Sequence, residues 1–163
     1  LMDGSKGDEL WEIVKEAGKP WDIGPGYPNT TERIESGLLS WGGDTDDNTN
    51  PYEVRLGKYI DLNVPDDVVG IKSLRKINKE GPKRHQLGII LDCNEQFKSH
   101  GLWYDILSNE KKVGDMTCGI WSKRMEKNIG LCLVSVKIKS GDEVCLSKEN
   151  KIYKGKMTDL PFI

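Results

Sequence analysis

The sequence has few of the side chains on which common catalytic and metal sites depend. Its 163 residues include only two histidines and four cysteines, and the cysteines form no C-x-x-C pair. No histidine lies at zinc-finger spacing from a cysteine, so we predict no zinc site. The motifs G-x-S-x-G, G-x-x-x-x-G-K-S/T and H-E-x-x-H are absent, which removes the usual signatures of α/β-hydrolases, P-loop nucleotide-binding proteins and zinc proteases.

The sequence also lacks an excess of charge of one sign and any long apolar run. Lys and Arg total 24 against 26 Asp and Glu, which leaves no basic footprint for nucleic acid. No apolar run is long enough to cross a bilayer, and no charged-then-apolar leader opens the sequence. Cys118 and Cys132 lie in apolar runs, where a reduced buried thiol is typical. We therefore expect a cytoplasmic protein without membrane or nucleic-acid partners, and the opening L-M-D-G resembles the interior of a longer protein.

The first half of the chain contains three amphipathic patterns separated by loops rich in Gly and Pro. Asn29 followed by Glu32 matches a capping box, so we predict that a helix begins there. Asp44, Asp46 and Asp47 lack the spacing of a calcium-binding loop and are interpreted as part of a turn. The predicted elements are a helix over 8–17, a helix from residue 29 to the glycine pair at 42–43, a strand over 54–62 and a helix over 70–79.

The pattern changes after Gly81 and Pro82, where short apolar or alternating runs follow one another between turns. Residues 134–138 alternate apolar with polar side chains and are predicted to form a half-buried strand. Several short strands at this spacing indicate a small antiparallel sandwich or barrel. The runs cover 87–91, 102–107, 113–121, 129–138, 143–146 and 151–160.

These patterns place a domain boundary near Gly81 and give an α+β fold class. Residues 1–81 form the first part, which we predict to be an incomplete mixed α/β unit. Residues 82–163 form the second part, which we predict to be a small all-β domain. The order is therefore mixed α/β first and antiparallel β second.

Several segments, in order along nearly the whole chain, resemble the glycine cleavage T-protein family. Residues 28–44 read P-N-T-T-E-R-I-E-S-G-L-L-S-W-G-G-D and resemble the family's R-L-E-A-G-L-x-L-Y-G-x-D segment. The variant found here is nearest to the dimethylsulfoniopropionate demethylase branch. The other matching segments are N-P-Y-E at 50–53, D-V-V-G at 67–70, R-H-Q-L-G-I-I-L at 84–91, V-G-D-M-T-C-G at 113–119, K-N-I-G-L at 127–131 and L-P-F-I at 160–163.

The resemblance implies a three-domain protein whose domains surround a central cavity for tetrahydrofolate. Residues 1–81 would be the C-terminal part of the folate-binding domain, and residues 82–163 would be the C-terminal β-barrel domain. The family's acidic catalytic residue and the glutamate that reads the pterin ring would both lie upstream of Leu1. The chain therefore corresponds to a C-terminal fragment whose catalytic residues are unknown, and we expect the fragment alone to be inactive.

The resemblance also nominates residues for the binding of substrate or folate. Asn29 aligns with the family's substrate-binding Arg, and a helix cap is its competing role. Arg33 would point into the folate cavity, with a structural ion pair as the alternative. The aromatic rings of Trp121 and Tyr27, together with Trp41, would suit a sulfonium cation.

These expectations concern the function of the intact parent protein. It would use tetrahydrofolate as co-substrate and take a methyl group from dimethylsulfoniopropionate, giving methyltetrahydrofolate and methylmercaptopropionate. The protein would mainly align the methyl group with the folate nitrogen and exclude water. The alternatives are an aminomethyltransferase of the glycine cleavage system with the lipoyl H-protein as partner, a folate-dependent domain acting on dimethylglycine or sarcosine, and a non-catalytic folate-binding or structural piece.

Overall fold

The computed structural model describes residues 3–24, 29–98 and 103–163, and its larger part is a closed antiparallel barrel. The six strands are β1 Arg84–Leu91, β2 Tyr104–Ser108, β3 Lys111–Ser122, β4 Lys127–Ser135, β5 Glu143–Lys148 and β6 Lys151–Thr158. Around the barrel they follow the order β1-β4-β3-β2-β5-β6. The α+β fold class is confirmed, and of the two all-β forms the chain adopts the barrel. The predicted run over 102–107 begins at a residue outside the described part.

The barrel interior is filled by side chains from alternate positions of each strand, because successive residues point to opposite faces. Backbones approach closely at Gly130 of β4, where an added Cβ would lie 2.5 Å from the sulfur of Met116. Any larger residue at Gly130 would therefore push into the core. The buried interior residues are Leu87, Ile89, Leu91, Phe97, Ile106, Met116, Cys132, Val134, Ile138, Val144, Leu146, Tyr153 and Met157.

The strand β4 differs from the half-buried strand predicted for residues 134–138. It ends at Ser135, and its residues from Asn128 to Val134 are all buried. Cys132 and Val134 face the interior of the barrel, whereas Ile129 and Leu131 belong to a second apolar cluster on the outer face. The prediction was wrong because the chain turns after Ser135, where the Ile138 N–H donates to the Ser135 carbonyl at 2.9 Å, and because helix α2 covers the outside of the strand before it.

The first half of the described chain consists of helices and turns. The helices are α1 Gly7–Gly18, α2 Thr30–Glu35 and α3 Ile71–Glu80, with short 3₁₀ turns at Gly4–Lys6, Lys19–Trp21 and Gly57–Tyr59. The first and third helices are confirmed within one or two residues. The apolar side of α1, which carries Leu10, Trp11, Ile13 and Val14, is about half exposed. No helix in the described ranges combines the length and apolar character that a membrane span requires.

The helix α2 is shorter than predicted, because it ends at Glu35 rather than at the glycine pair 42–43. Gly37 has a φ of 67°, which is the left-handed conformation that glycine adopts without strain. The Gly37 N–H donates to the Ile34 carbonyl at 3.0 Å, and the Leu38 N–H donates to the Arg33 carbonyl at 2.9 Å. This pair of hydrogen bonds is a Schellman motif, which ends the helix and turns the chain.

The strand predicted over 54–62 is wrong, because the structure has turns and a 3₁₀ turn there. Arg55 has a φ of 65°, which is incompatible with an extended strand. Its Nη2 donates to the carbonyl oxygen of Leu160 at 2.7 Å. The tertiary contact with residue 160 outweighs the local preference of an apolar, alternating run.

Candidate functional site

The helix α2 packs on the outer face of strands β3 and β4, and this is one of the contacts through which the first half of the described chain meets the barrel. Ile34 is fully buried there against Cys118, Ile129, Leu131 and Leu160. Burying a side chain of this size contributes about 2 kcal/mol. Around this apolar contact lie three buried carboxylates, each bound to groups from a different segment of the chain.

Asp44 is the first buried carboxylate, and it joins three segments. Its Oδ2 lies 2.6 Å from Arg33 Nη1 and accepts a 2.9 Å hydrogen bond from the Ser40 N–H. Its Oδ1 accepts a 2.6 Å hydrogen bond from the hydroxyl of Thr117 on β3. Arg33 Nη1 also donates to the Leu38 carbonyl at 2.8 Å. The carboxylate thereby fixes helix α2, the following loop and the barrel to one another.

Thr117 reaches Asp44 because it sits in a β-bulge. Strand β3 has one extra residue relative to β4 between Met116, which pairs with Cys132, and Cys118, which pairs with Leu131. A bulge of this kind changes the face to which the following side chains point. Cys118, Ile120 and Ser122 therefore lie on the outer face, toward α2.

Glu35 is the second buried carboxylate, and it lies at the end of α2. Its Oε1 accepts a 2.5 Å hydrogen bond from the Ser122 hydroxyl, and its Oε2 lies 3.8 Å from Nε of Arg124. Its main-chain carbonyl accepts a 2.9 Å hydrogen bond from the Phe162 N–H. A buried carboxylate costs several kcal/mol unless it is hydrogen-bonded, so these contacts favour a structural role.

Glu53 is the third buried carboxylate, and Arg84 at the start of β1 binds both of its oxygens. The distances are 3.0 Å from Nε to Oε1 and 3.1 Å from Nη2 to Oε2. This hydrogen bonding raises the pKa of the Arg84 guanidinium, which is therefore fully charged at neutral pH. The turn at Asn50 is closed by its own N–H, which donates to Glu53 at 3.1 Å.

The thiol of Cys118 lies beside the Arg33 and Asp44 pair on the outer face of β3. Burial, with a smaller contribution from the Asp44 carboxylate, raises the pKa of this thiol from 9.0 to about 12, against the lowering effect of Arg33. A thiol with such a pKa is almost entirely protonated at neutral pH, so it is a poor nucleophile. Cys118 therefore serves as a small apolar side chain in this contact.

The nominated site residues on α2 take part in local structure. The Asn29 side-chain oxygen accepts a 2.8 Å hydrogen bond from the Glu32 N–H, which is a helix N-cap. Arg33 is held between Asp44 and the Leu38 carbonyl. These contacts occupy Nη1 of the guanidinium and match the ion-pair alternative, while the assignment of Arg33 to the folate cavity stays a prediction.

Of the nominated aromatic residues, Trp121 and Trp41 lie in the described part of the chain. Trp121 lies on the face of β3 opposite to Ser122, and its main-chain N–H donates to the Phe97 carbonyl at 3.0 Å. Trp41 is 71% exposed in the loop between Arg33 and Asp44. Tyr27 lies outside the described residues.

The sequence did not reveal the burial of Asp44. It was interpreted as part of a turn, and the neighbouring Asp46 does close one, since its Oδ1 accepts hydrogen bonds from the Thr49 hydroxyl and the Asn48 N–H. The signal that distinguishes Asp44 from Asp46 is the basic residue Arg33, eleven positions before Asp44. It could not be used from the sequence, because the turn at Gly37 is what brings Arg33 to Asp44. Among the described residues, no group of three or more His, Cys, Asp and Glu side chains is placed to hold a metal ion.

The fold and the contact just described define the class of protein: a helical segment locked by buried carboxylates onto a closed six-stranded barrel. Residues 84–163 match the glycine cleavage T-protein C-terminal barrel domain. The chain belongs to the glycine cleavage T-protein family.

Individual relatives carry two kinds of name. The chain is 30% identical over 164 residues to an aminomethyltransferase of Prochlorococcus marinus, covering 99% of this chain and 42% of that protein. It is 33% identical over 158 residues to an aminomethyltransferase of Clostridium botulinum, covering 94% and 42%. It is 34% identical over 134 residues to dimethylsulfoniopropionate demethylase DmdA of Ruegeria pomeroyi, covering 82% and 36%. The chain thus spans about two fifths of the length of these relatives.

A solved structure shows the same fold. The crystal structure of the glycine cleavage system aminomethyltransferase T from Bartonella henselae superposes with a TM-score of 0.68 at 23% identity. The superposition covers 82% of this chain and 37% of that protein. At this level of identity the likeness establishes the fold alone.

Proposed function

We propose that this chain acts as the C-terminal part of a tetrahydrofolate-dependent one-carbon transferase. The observation that supports the proposal is the similarity over 99% of the chain to an aminomethyltransferase. On this proposal residues 1–81 would complete the folate-binding domain and residues 82–163 would form the barrel domain. The parent protein would be the enzyme, and this chain alone would be inactive.

Transfer of an aminomethyl group within the glycine cleavage system is the better supported activity. Relatives named aminomethyltransferase match nearly the whole chain, whereas the match to the demethylase covers 82%. In this reading the partner is the lipoyl H-protein, which delivers the one-carbon unit, and tetrahydrofolate accepts it. The chain's own contribution would be to hold α2 and the loop with Trp41 in place against the barrel.

Demethylation of dimethylsulfoniopropionate is the second candidate. The observation that favours it is the 34% identity to DmdA. The family resemblance, which aligns Asn29 with the family's substrate-binding Arg, is consistent with a different donor. The exposed ring of Trp41 offers an aromatic face of the kind that attracts a sulfonium cation. Because Arg33 is paired with Asp44, we assign it a positioning role and route no step of the reaction through it.

The experiment uses the full-length protein that contains this chain. It is incubated with tetrahydrofolate and either aminomethyl-loaded H-protein or dimethylsulfoniopropionate, and the one-carbon folate is followed by chromatography. Product with H-protein alone supports the aminomethyltransferase proposal, and methyltetrahydrofolate from dimethylsulfoniopropionate alone supports the demethylase. Turnover with neither donor, in a protein that is folded and binds tetrahydrofolate, would contradict both.

A further inference from the structure

One end of the barrel carries an aromatic clamp, which we define as the rings of Phe97 and Tyr104 that both contact the Lys148 ammonium. The Lys148 Nζ lies 5.2 Å from the Phe97 ring centroid and 5.6 Å from the Tyr104 ring centroid. Only 13% of the Lys148 side chain is exposed, although lysine is usually a surface residue. The position beside both rings is therefore a cation site, which a lysine of the chain itself occupies.

The walls of the clamp are fixed by their surroundings. The Phe97 ring is buried and packs edge-on against the Tyr153 ring, with centroids 5.2 Å apart. The Phe97 N–H donates to the buried side chain of Asn128 at 2.7 Å. The Tyr104 hydroxyl lies 3.2 Å from the carboxylate of Glu149. A ligand would therefore meet preformed walls and would not have to order them.

The two carboxylates at the clamp are paired with lysines, Glu149 with Lys148 and Glu95 with Lys151, so a cation that displaces Lys148 would replace the charge that Glu149 loses. Glu149 lies 3.0 Å from Lys148 Nζ, and Glu95 accepts a 2.8 Å hydrogen bond from the Tyr153 hydroxyl. Hydrogen bonds lower the pKa of both carboxyl groups, so both are ionised at neutral pH. A cavity of about 330 Å³ opens beside the clamp and is lined by Glu95, Gln96, Phe97, Lys98, Tyr104, Lys148 and Glu149.

We propose that this clamp binds a small methylated onium ion, a trimethylammonio or dimethylsulfonio group, and that Lys148 moves to solvent when the ligand enters. An onium ion has no N–H to donate to water, so its transfer out of water costs less hydration free energy than the transfer of a lysine ammonium. Proteins bind quaternary ammonium groups with the faces of aromatic side chains. Lys148 has a flexible stem, and in water it regains full hydration. The clamp consists of barrel residues only and is independent of the proposed folate chemistry.

The test is an NMR titration of the 163-residue chain with tetramethylammonium chloride and, separately, trimethylsulfonium chloride, against sodium chloride at equal ionic strength. We expect saturable shifts at Phe97 and Tyr104 with either onium salt and none with sodium. Lys148→Ser empties the clamp, so binding should become about tenfold tighter. Tyr104→Leu removes one ring and should weaken binding about fivefold, whereas Tyr104→Phe keeps the ring and should retain it.

Lys154→Ser is the matched control, because it removes the same charge from a lysine that does not line the clamp. Equal affinities of Lys148→Ser and Lys154→Ser would overturn the proposal. So would undiminished binding by a folded Tyr104→Leu variant, or shifts confined to other parts of the barrel. If only one of the two salts binds, the proposal holds for that class of onium ion and is overturned for the other.

Discussion

The hydroxyl of Thr117 donates a 2.6 Å hydrogen bond to Asp44, across 73 positions of sequence, and both side chains are buried. The bond exists because a bulge in β3 turns Thr117 toward the first half of the chain. It makes the position of Arg33 depend on the barrel, since the same carboxylate also holds that guanidinium. Asp44 is therefore one of the buried acids, with Glu35 and Glu53, through which the two halves of the described chain are coupled.

Asp44→Ala should be among the most destabilising single changes in this chain. It leaves Arg33 without its partner and the Thr117 hydroxyl without its acceptor, so the free energy of unfolding should fall by about 3 kcal/mol. Urea unfolding followed by circular dichroism measures this. Asp66→Ala is the control, because its pair with Arg75 is exposed and should be worth less than about 1 kcal/mol. Similar losses in both variants would contradict the assignment.

Ser122→Ala should cost about 2 kcal/mol, because it leaves the buried Glu35 carboxylate without its closest donor. The measurement is again the free energy of unfolding in urea. Ser73→Ala on the exposed side of α3 is the matched change, and it should be neutral or slightly stabilising. A neutral Ser122→Ala would mean that water replaces the hydroxyl at Glu35.

Asn29 can be assigned by comparing two substitutions. Asn29→Ala removes the cap and should lower stability by about 1 kcal/mol, whereas Asn29→Asp keeps an acceptor for the Glu32 N–H and should preserve it. Hydrogen exchange at the Glu32 amide reports the cap directly. In the full-length protein, loss of donor turnover in both variants would place Asn29 at the substrate, and loss in Asn29→Ala alone would make it only a cap.

The buried thiol of Cys118 should make the chain less stable at alkaline pH. Its pKa is raised to about 12 in the folded chain, whereas an unfolded thiol has a pKa of 9.0. Above pH 9 the unfolded state loses its proton first, so stability falls by up to about 1.4 kcal/mol per pH unit until the folded pKa is reached.

The measurement for this prediction is urea unfolding at several pH values from neutral to alkaline. Cys118→Ser and Cys118→Ala cannot titrate there, so both should show a shallower decline than the parent chain. Cys132 is also buried with a raised pKa, so part of the decline should persist in both variants. Equal slopes in all three proteins would exclude a contribution from Cys118.

The barrel strands could be predicted from the sequence because alternation along a strand is a local property. The end of α2 was missed because Gly37 stops the helix only through its left-handed conformation, a signal that the later glycine pair obscured. The face of β3 on which Trp121 lies could not be predicted either. Simple alternation from Met116 places Trp121 outside the barrel, and the single extra residue at Thr117 reverses that.

The burial of Asp44 could not be predicted either. Its partners come from positions 33, 40 and 117, and only the folded barrel brings position 117 near. A sequence pattern describes each of these residues separately. The assignment of Arg33 to a ligand or to an ion pair depends on that long-range contact.

The hydrogen bond from the Phe162 N–H to the Glu35 carbonyl has a consequence for how the chain folds while it is synthesised. The surface that receives α2 includes Leu160, which leaves the ribosome long after α2 does. At ordinary translation rates the helix waits for roughly ten seconds without its final partner. During that interval its apolar side is open to chaperones or to other nascent chains. Emergence of residues 160–162 from the ribosome therefore completes the surface on which the helix docks.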